Sequence, residues 1–92
     1  MTEEQKQQAL INLMEEAAEI VQAVSKWMRF GPEATDPNNT DAIPANVRLA
    51  REIGNMMAMV EILGQENLLN DDEIRVGFDK KYAAMKHYGV ID

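Results

Sequence analysis

Two pairs of polar residues could do chemistry in this sequence. Glu16 and Glu19, and then Glu52 and Asn55, are spaced i, i+3 within apolar segments of helical periodicity. That spacing places both side chains of a pair on one edge of a helix. Carboxylates among apolar residues are costly to bury unless they are paired or bind a metal. Two such edges facing each other would form a cage of oxygen ligands, which favours Mg²⁺ held against a phosphate-bearing substrate.

For each acidic residue taken alone, the alternative is a solvated helix face or a salt bridge. That alternative is weakest for Glu52, because its position is apolar by pattern. The presence of two i, i+3 pairs on two helices weakens it again.

Composition excludes several other classes of protein. The chain of 92 residues predicts a single domain over residues 1–92. It has no cysteine and one histidine, His87, which rules out a Cys-based zinc site and a His-cluster site within one chain. The net charge of −7 disfavours a nucleic-acid polymer as partner. No apolar run approaches the ~18 residues of a membrane span, and the polar, acidic N-terminus is unlike a signal peptide. We therefore expect a cytoplasmic protein that does not bind membranes.

Capping residues and helix-breaking residues along the sequence predict three helices. Helix one should run from about Glu3 to Arg29, with Thr2 as N-cap and Gly31-Pro32 as the stop. Helix two should run from about Ala45 to Asn67, with Pro44 in its first turn. Helix three should begin after a cap at Asn70 or Asp71 and reach His87 or Tyr88, with Gly89 ending it. The segment from Gly31 to Pro44 reads as a loop that is long for a helix–helix connection.

Apolar stripes on these helices predict an all-α fold, an antiparallel bundle of three to four helices completed by oligomerisation. Helix two is apolar on most of its circumference, so we expect it to pack in a subunit interface as well as in the core. The alternative is that its methionines only fill the core. The stripes comprise Leu10, Leu13, Met14, Ala17, Ile20, Val21, Val24, Trp27 and Met28 on helix one; Ile53, Met56, Met57, Met59, Val60, Ile62 and Leu63 on helix two; and Ile74, Phe78, Tyr82 and Met85 on helix three.

The two polar pairs also carry a family resemblance. Glu16-Ala-Ala-Glu19 followed by Glu52-Ile-Gly-Asn55 resembles the E-x-x-E…E-x-x-D signature of the MazG-like all-α nucleoside triphosphate pyrophosphohydrolases. The resemblance covers about residues 10–31 and 48–63 and is nearest to the small, often phage-encoded members. It implies Mg²⁺-dependent hydrolysis of a nucleoside triphosphate to the monophosphate and pyrophosphate, by a homodimer or homotetramer.

By position in that signature, Glu16, Glu19 and Glu52 would be catalytic metal ligands, and Asn55 would be a fourth ligand. The ion would be Mg²⁺, with Mn²⁺ as the alternative. A neighbouring carboxylate could accept the proton of the attacking water.

Several cations are candidates for binding the substrate's phosphates. Lys26 lies about two turns beyond Glu19 on the same edge of helix one, and Arg29 about one turn further. Lys80 and Lys81 on helix three are weaker candidates, and the alternative for all four is a solvated cation among acidic neighbours. Trp27 is a candidate for stacking on a base, although its position fits the core as well.

The sequence departs from the family pattern in two ways. Asn55 replaces a carboxylate with a neutral amide, and the loop between the motifs is extended. Two alternatives therefore stay open: a MazG-like relative that binds nucleotide or metal without turnover, and a helical module that docks on another protein. The sequence does not identify the base, the sugar, the oligomer order or the biological role of the activity.

Overall fold

The residues that the structure describes are mostly helical. The computed structural model describes residues 1–35 and 42–92, and it contains α1 (Glu3–Phe30), α2 (Ala45–Gln65) and α3 (Asp71–His87). No strand occurs in those two ranges, so the all-α class is confirmed. Residues 36–41 of the predicted loop lie outside the described residues. None of the described helices is long and apolar enough to cross a membrane.

Side-chain caps fix where the helices begin. Thr2 forms a capping box with Gln5: the threonine hydroxyl accepts from the Gln5 amide, and the Gln5 side chain accepts from the Thr2 amide. At α3 the Asn70 side chain accepts from the backbone amides of Asp72 and Glu73. Pro44 lies one residue before α2 rather than inside its first turn, and its carbonyl accepts from the Arg48 amide at 2.9 Å.

Positive backbone angles fix where two of the helices end. Gly31 follows α1 with φ 94°, a conformation that glycine adopts without steric cost, and its amide still donates to the Trp27 carbonyl at 2.8 Å. Asn67 follows α2 with φ 59°, and asparagine is among the residues that tolerate this region best. Both helix ends therefore match residues that the sequence analysis associated with turns or helix termini.

The helices belong to two compact units, residues 1–62 and 63–92. The first unit contains α1 and most of α2. Lys26 shares a cavity with Arg48, while Glu19 and Glu52 lie together. Rising residue numbers on α1 therefore meet falling numbers on α2, and the two helices form an antiparallel hairpin. Ala9, Ala23 and Ala45 are buried in this unit, and such small side chains let helices approach closely. The prediction of a single domain over residues 1–92 stays a prediction.

The second unit begins in the last turn of α2, contains α3 and extends to Asp92. The amides of Leu68 and Leu69 both donate to the Leu63 carbonyl, at 2.8 and 3.2 Å. Gly64 lies so close to the Asp71 side chain that an added Cβ would stand 2.7 Å from its Oδ1. The turn between the helices is therefore tightly packed around a position without a side chain.

The predicted apolar stripe of α3 is largely exposed. No residue of α3 is buried, and Ile74, Phe78 and Tyr82 are exposed, while Met85 is half-buried. The prediction that all four pack inward is therefore wrong for the first three. A unit of thirty residues with one complete helix offers little apolar surface to cover such a stripe. The Phe78 and Tyr82 rings instead stack on each other, with centroids 6.0 Å apart.

Candidate metal-binding site

Three carboxylates converge where α1 and α2 face each other. Glu16, Glu19 and Glu52 each offer one oxygen, and these three oxygens lie within 4.8 Å of one another. The i, i+3 spacing puts the first two on one edge of α1, and the antiparallel register of α2 brings Glu52 opposite them. Glu16 and Glu52 are half-buried, while Glu19 is exposed. The structure thus brings together the three acidic residues that the sequence singled out, in a grouping that could hold a cation.

Crowding of like charges perturbs this cluster. The pKa of Glu19 is raised from 4.5 to about 7, first by its side-chain hydrogen bond with Glu52 and then by the charges of Glu52 and Glu16. A shared proton relieves the repulsion between two neighbouring carboxylates. Because Glu19 is exposed, desolvation contributes less than the like charges do. At neutral pH and without a cation, the cluster therefore retains part of one proton.

Glu16 has an unsatisfied oxygen. Its Oε2 is buried and has no hydrogen-bond partner within residues 1–35 and 42–92. Leaving a buried acceptor without a donor or cation costs about 1–3 kcal/mol, and more when the group is charged. A cation in the cluster would satisfy this atom. The orphaned oxygen and the all-oxygen donor set both fit a hard divalent ion such as Mg²⁺.

Asn55 contacts the cluster through its amide nitrogen. Its Nδ2 donates to Glu52 Oε2 over 3.4 Å, which is long for a hydrogen bond. The nitrogen, a donor, is therefore the atom turned towards Glu52, whereas a metal ligand would present the amide oxygen. In this arrangement Asn55 orients the Glu52 carboxylate, and its role as a fourth ligand stays a prediction.

A cavity of about 210 Å³ opens beside the carboxylates. Its lining residues are Glu19, Gln22, Ala23, Lys26, Arg48 and Glu52. Lys26 was predicted as a phosphate contact, and it does lie on the cavity wall. Arg48 and Gln22 were missed by the sequence analysis. Spacing could have found both, because Arg48 is one turn before Glu52 and Gln22 is one turn after Glu19, on the same helix edges. The cavity thus combines carboxylates with two cationic side chains.

The other predicted site residues lie outside this cavity's lining. The Arg29 guanidinium sits over the Phe30 ring, 4.9 Å from its centroid. Trp27 is 38% exposed, which leaves part of its ring accessible. Lys80 and Lys81 are exposed residues of α3 in the second unit. Their predicted roles in binding phosphates or a base stay predictions.

Comparison with known proteins identifies no relative of this chain. No protein-family model, no curated protein and no solved structure matches this chain. Any functional conclusion must therefore come from the residues and their geometry.

Proposed function

We propose that this chain is a Mg²⁺-dependent nucleoside triphosphate pyrophosphohydrolase of the MazG-like type. It would convert a ribo- or deoxyribonucleoside triphosphate and water to the monophosphate and pyrophosphate, as a cytoplasmic homodimer or homotetramer. The observation that carries the proposal is the convergence of Glu16, Glu19 and Glu52, which are the acidic residues of the E-x-x-E…E-x-x-N pattern, within 4.8 Å of one another.

The donor set supports the metal part of this proposal. Glu16, Glu19 and Glu52 would hold Mg²⁺, and the buried, unpartnered Oε2 of Glu16 would gain the partner that it lacks. When bound, Mg²⁺ supplies positive charge that offsets the charge building on the phosphate oxygens and acidifies nearby water. Mn²⁺ prefers similar oxygen ligands and is the alternative ion.

The cavity supports phosphate binding next to the carboxylates. Lys26 and Arg48 line it together with Glu19 and Glu52, so cations stand beside the acidic cluster. An arginine can grip a phosphate with two parallel hydrogen bonds, and a lysine adds a compact charge. At about 210 Å³, the cavity is smaller than the roughly 300–1,000 Å³ of a typical small-molecule pocket. It would therefore accept the polyphosphate, with the nucleoside outside, where Trp27 and Arg29 are candidates to contact it.

The chain's own residues would carry out the proton transfer. Glu19 is exposed, and the carboxylate oxygen that it does not give to the ion would accept the proton of an attacking water. The water oxygen bonds to the α-phosphorus, the bond between this phosphorus and the bridging oxygen breaks, and pyrophosphate leaves with that oxygen. Lys26 and Arg48 would neutralise charge on the departing pyrophosphate. Lys80 and Lys81 remain further candidates for phosphate contacts.

The test is pyrophosphate release from a panel of ribo- and deoxyribonucleoside triphosphates, with Mg²⁺, with Mn²⁺ and with chelator. We expect metal-dependent release that Glu52→Gln abolishes while far-UV circular dichroism shows an intact fold. Glu61→Gln is the matched control, because Glu61 is an exposed glutamate of the same helix outside the cluster. Retained activity in Glu52→Gln would refute the assignment. Silence of the wild type across the panel would refute the enzyme proposal.

A relative that binds nucleotide or metal without turnover is the second candidate. The observation that favours it is the Asn55 amide, which brings a donor rather than a fourth carboxylate to Glu52. Asn55→Asp separates the two candidates. If the native site is silent and this variant releases pyrophosphate, the amide was what prevented turnover. If the native site is active, the second candidate fails.

A further inference from the structure

The cavity beside the carboxylates is lined by groups that suit a phosphate chain rather than a nucleobase. Among the described residues, the lining comprises two carboxylates, two cations, one amide and one small apolar side chain: Glu19, Glu52, Lys26, Arg48, Gln22 and Ala23. A site for a base usually offers aromatic or large apolar side chains to the faces of the ring. The groups found here are instead those that hold a hard cation and phosphate oxygens.

The charges of the lining are separated along the length of the cavity. On α1, Lys26 follows Glu19 by seven residues, a rise of about 10 Å. On α2, Arg48 precedes Glu52 by four residues, a rise of about 6 Å. Because the helices are antiparallel, both cations lie towards one end of the cavity and both carboxylates towards the other. That separation is comparable to the length of three linked phosphate groups.

A bound divalent cation would give this lining a net positive charge. Glu19 and Glu52, when ionised, balance Lys26 and Arg48, and the ion would add two positive charges. A phosphate chain carries several negative charges, whereas a nucleoside carries none, so this attraction acts on the chain alone. The Gln22 amide adds a neutral donor for a phosphate oxygen.

The volume of the cavity leads to the same conclusion. At about 210 Å³, it is smaller than the roughly 300–1,000 Å³ of a typical small-molecule pocket, so the nucleoside of a triphosphate would lie outside the lining. A site rejects a substrate that lacks a group strongly only when its own polar groups are built to bind that group. Loss of the base and the sugar should therefore cost this site little.

We propose that the site also hydrolyses inorganic triphosphate, which is the phosphate chain of the nucleotide without its nucleoside. The water oxygen bonds to a terminal phosphorus, and the bond between this phosphorus and the bridging oxygen breaks. Pyrophosphate leaves with that oxygen, and the proton of the water passes to Glu19. Each triphosphate gives one phosphate and one pyrophosphate. The inference rests on the metal-dependent hydrolysis of the proposed function and extends it to a substrate that has no base and no sugar.

The first test is cleavage of inorganic triphosphate in the presence of Mg²⁺, followed by phosphorus NMR beside the panel of nucleoside triphosphates. We expect a kcat/KM within about 10-fold of that for the best nucleotide, because the described lining contacts only what the two substrates share. Arg48→Gln should lower both values by the same factor, about 10- to 100-fold, through loss of a charged hydrogen bond. Arg51→Gln is the matched control, because Arg51 is an exposed arginine of α2 outside the described lining.

The second test measures binding without turnover. Methylenediphosphonate is a pyrophosphate analogue whose P–C–P link is not hydrolysed, and titration calorimetry with Mg²⁺ present reports its affinity. The wild type and Arg51→Gln should bind it equally, and Arg48→Gln should bind it about 10-fold more weakly or less. Circular dichroism at 222 nm establishes that each variant is folded. If Arg48→Gln does not fold, Lys26→Gln repeats both tests from the other helix.

The outcomes separate this inference from the proposed function. Hydrolysis of nucleoside triphosphates without cleavage of inorganic triphosphate would overturn the inference and leave the proposed function intact. Cleavage of inorganic triphosphate by a protein that is silent towards nucleotides would support the inference and refute the nucleotide substrate. Silence towards both would overturn both. Cleavage that Arg48→Gln and Lys26→Gln leave unchanged would overturn the assignment to this cavity.

Discussion

The proton held by the carboxylate cluster gives the sharpest test of the site's geometry. The pKa of Glu19 is about 7, and Glu52 is the largest cause of the shift. In Glu52→Gln the neighbouring charge is gone, and the new amide can donate to the Glu19 carboxylate. Both changes favour the charged form. We therefore expect the pKa of Glu19 to fall well below 7 towards its ordinary value of 4.5, with the charge of Glu16 as the main remaining cause that raises it.

We expect the same proton to set the pH dependence of the proposed cation binding. With a pKa of about 7, Glu19 is about 90% protonated at pH 6, about half at pH 7 and about 10% at pH 8. A carboxylate must lose its proton to bind a metal. Mg²⁺ should therefore bind about 10-fold more weakly at pH 6 than at pH 8, and its binding at pH 7 should release about half a proton from Glu19.

Two measurements check this reasoning. Carbon-detected NMR of the glutamate side-chain carboxyls follows the metal-free titration in the wild type, in Glu52→Gln and in the control Glu61→Gln. Titration calorimetry with Mg²⁺ in buffers of different ionisation enthalpy counts the protons released. The inferred geometry would be refuted by an unchanged Glu19 pKa in Glu52→Gln. Proton release that is the same at pH 6 and pH 8 would refute the link to metal binding.

Four further predictions concern stability, and all are measurable by urea denaturation. An added Cβ at Gly77 would meet nothing within 4 Å, so Gly77→Ala should stabilise the chain by about 1 kcal/mol through helix propensity. Gly64→Ala should stabilise it less, because its Cβ would stand 2.7 Å from Asp71 Oδ1 and the Asp71 side chain would have to move. Asn70→Ala should cost about 1 kcal/mol, because two amides at the start of α3 lose their acceptor. Without metal, the folded chain binds more protons at Glu19 than the unfolded chain does between pH 4.5 and about 7. The contribution of Glu19 to the free energy of unfolding is therefore complete below pH 4.5 and is lost as the pH rises to 7. Glu19→Gln should remove that dependence, and a wild-type curve that rises over this window because of Glu19 would contradict the sign.

The helix boundaries could be predicted because short-range chemistry sets them. Thr2, Gly31 and Asn70 act on backbone groups within a few residues of themselves, and such local signals can be read from sequence. The bounds of α1 and α3 accordingly agree with the predicted ones within one or two residues. At the end of α2, the predicted Asn67 lies two residues beyond the last helical residue, Gln65, because Asn67 adopts φ 59°.

The grouping of the three carboxylates was also predictable, whereas the cavity beside it was not. Glu16, Glu19 and Glu52 stand in apolar, periodic surroundings, where a carboxylate calls for an explanation. Arg48 lies in the first turn of α2, and a single arginine near the start of a helix looks in sequence like an ordinary surface cation. Only the antiparallel register, which brings Arg48 into the same cavity as Lys26, distinguishes it from other surface cations.

The outer part of the α1 stripe shows that apolar periodicity alone does not predict which residues are buried. Met14, Val21 and Met28 repeat with helical spacing as a core stripe does, yet they are among the most exposed apolar residues of the chain. Periodicity identifies a side of a helix that is suited to burial. It does not specify whether the residues that would bury that side belong to the same chain. The same ambiguity explains the wrong prediction for Ile74, Phe78 and Tyr82 on α3.

Glu19 and Val21 lie about 160° apart around α1, and this separation has a consequence for how such a protein can diverge. Substitutions among the carboxylates and substitutions among the exposed apolar residues around Val21 act on different surfaces, and effects at well-separated residues tend to add. A lineage could therefore change residues around Glu19 without disturbing the apolar residues around Val21. It could equally change Val21 and its neighbours without disturbing the carboxylate cluster. A helix divided in this way allows its two sides to be modified separately.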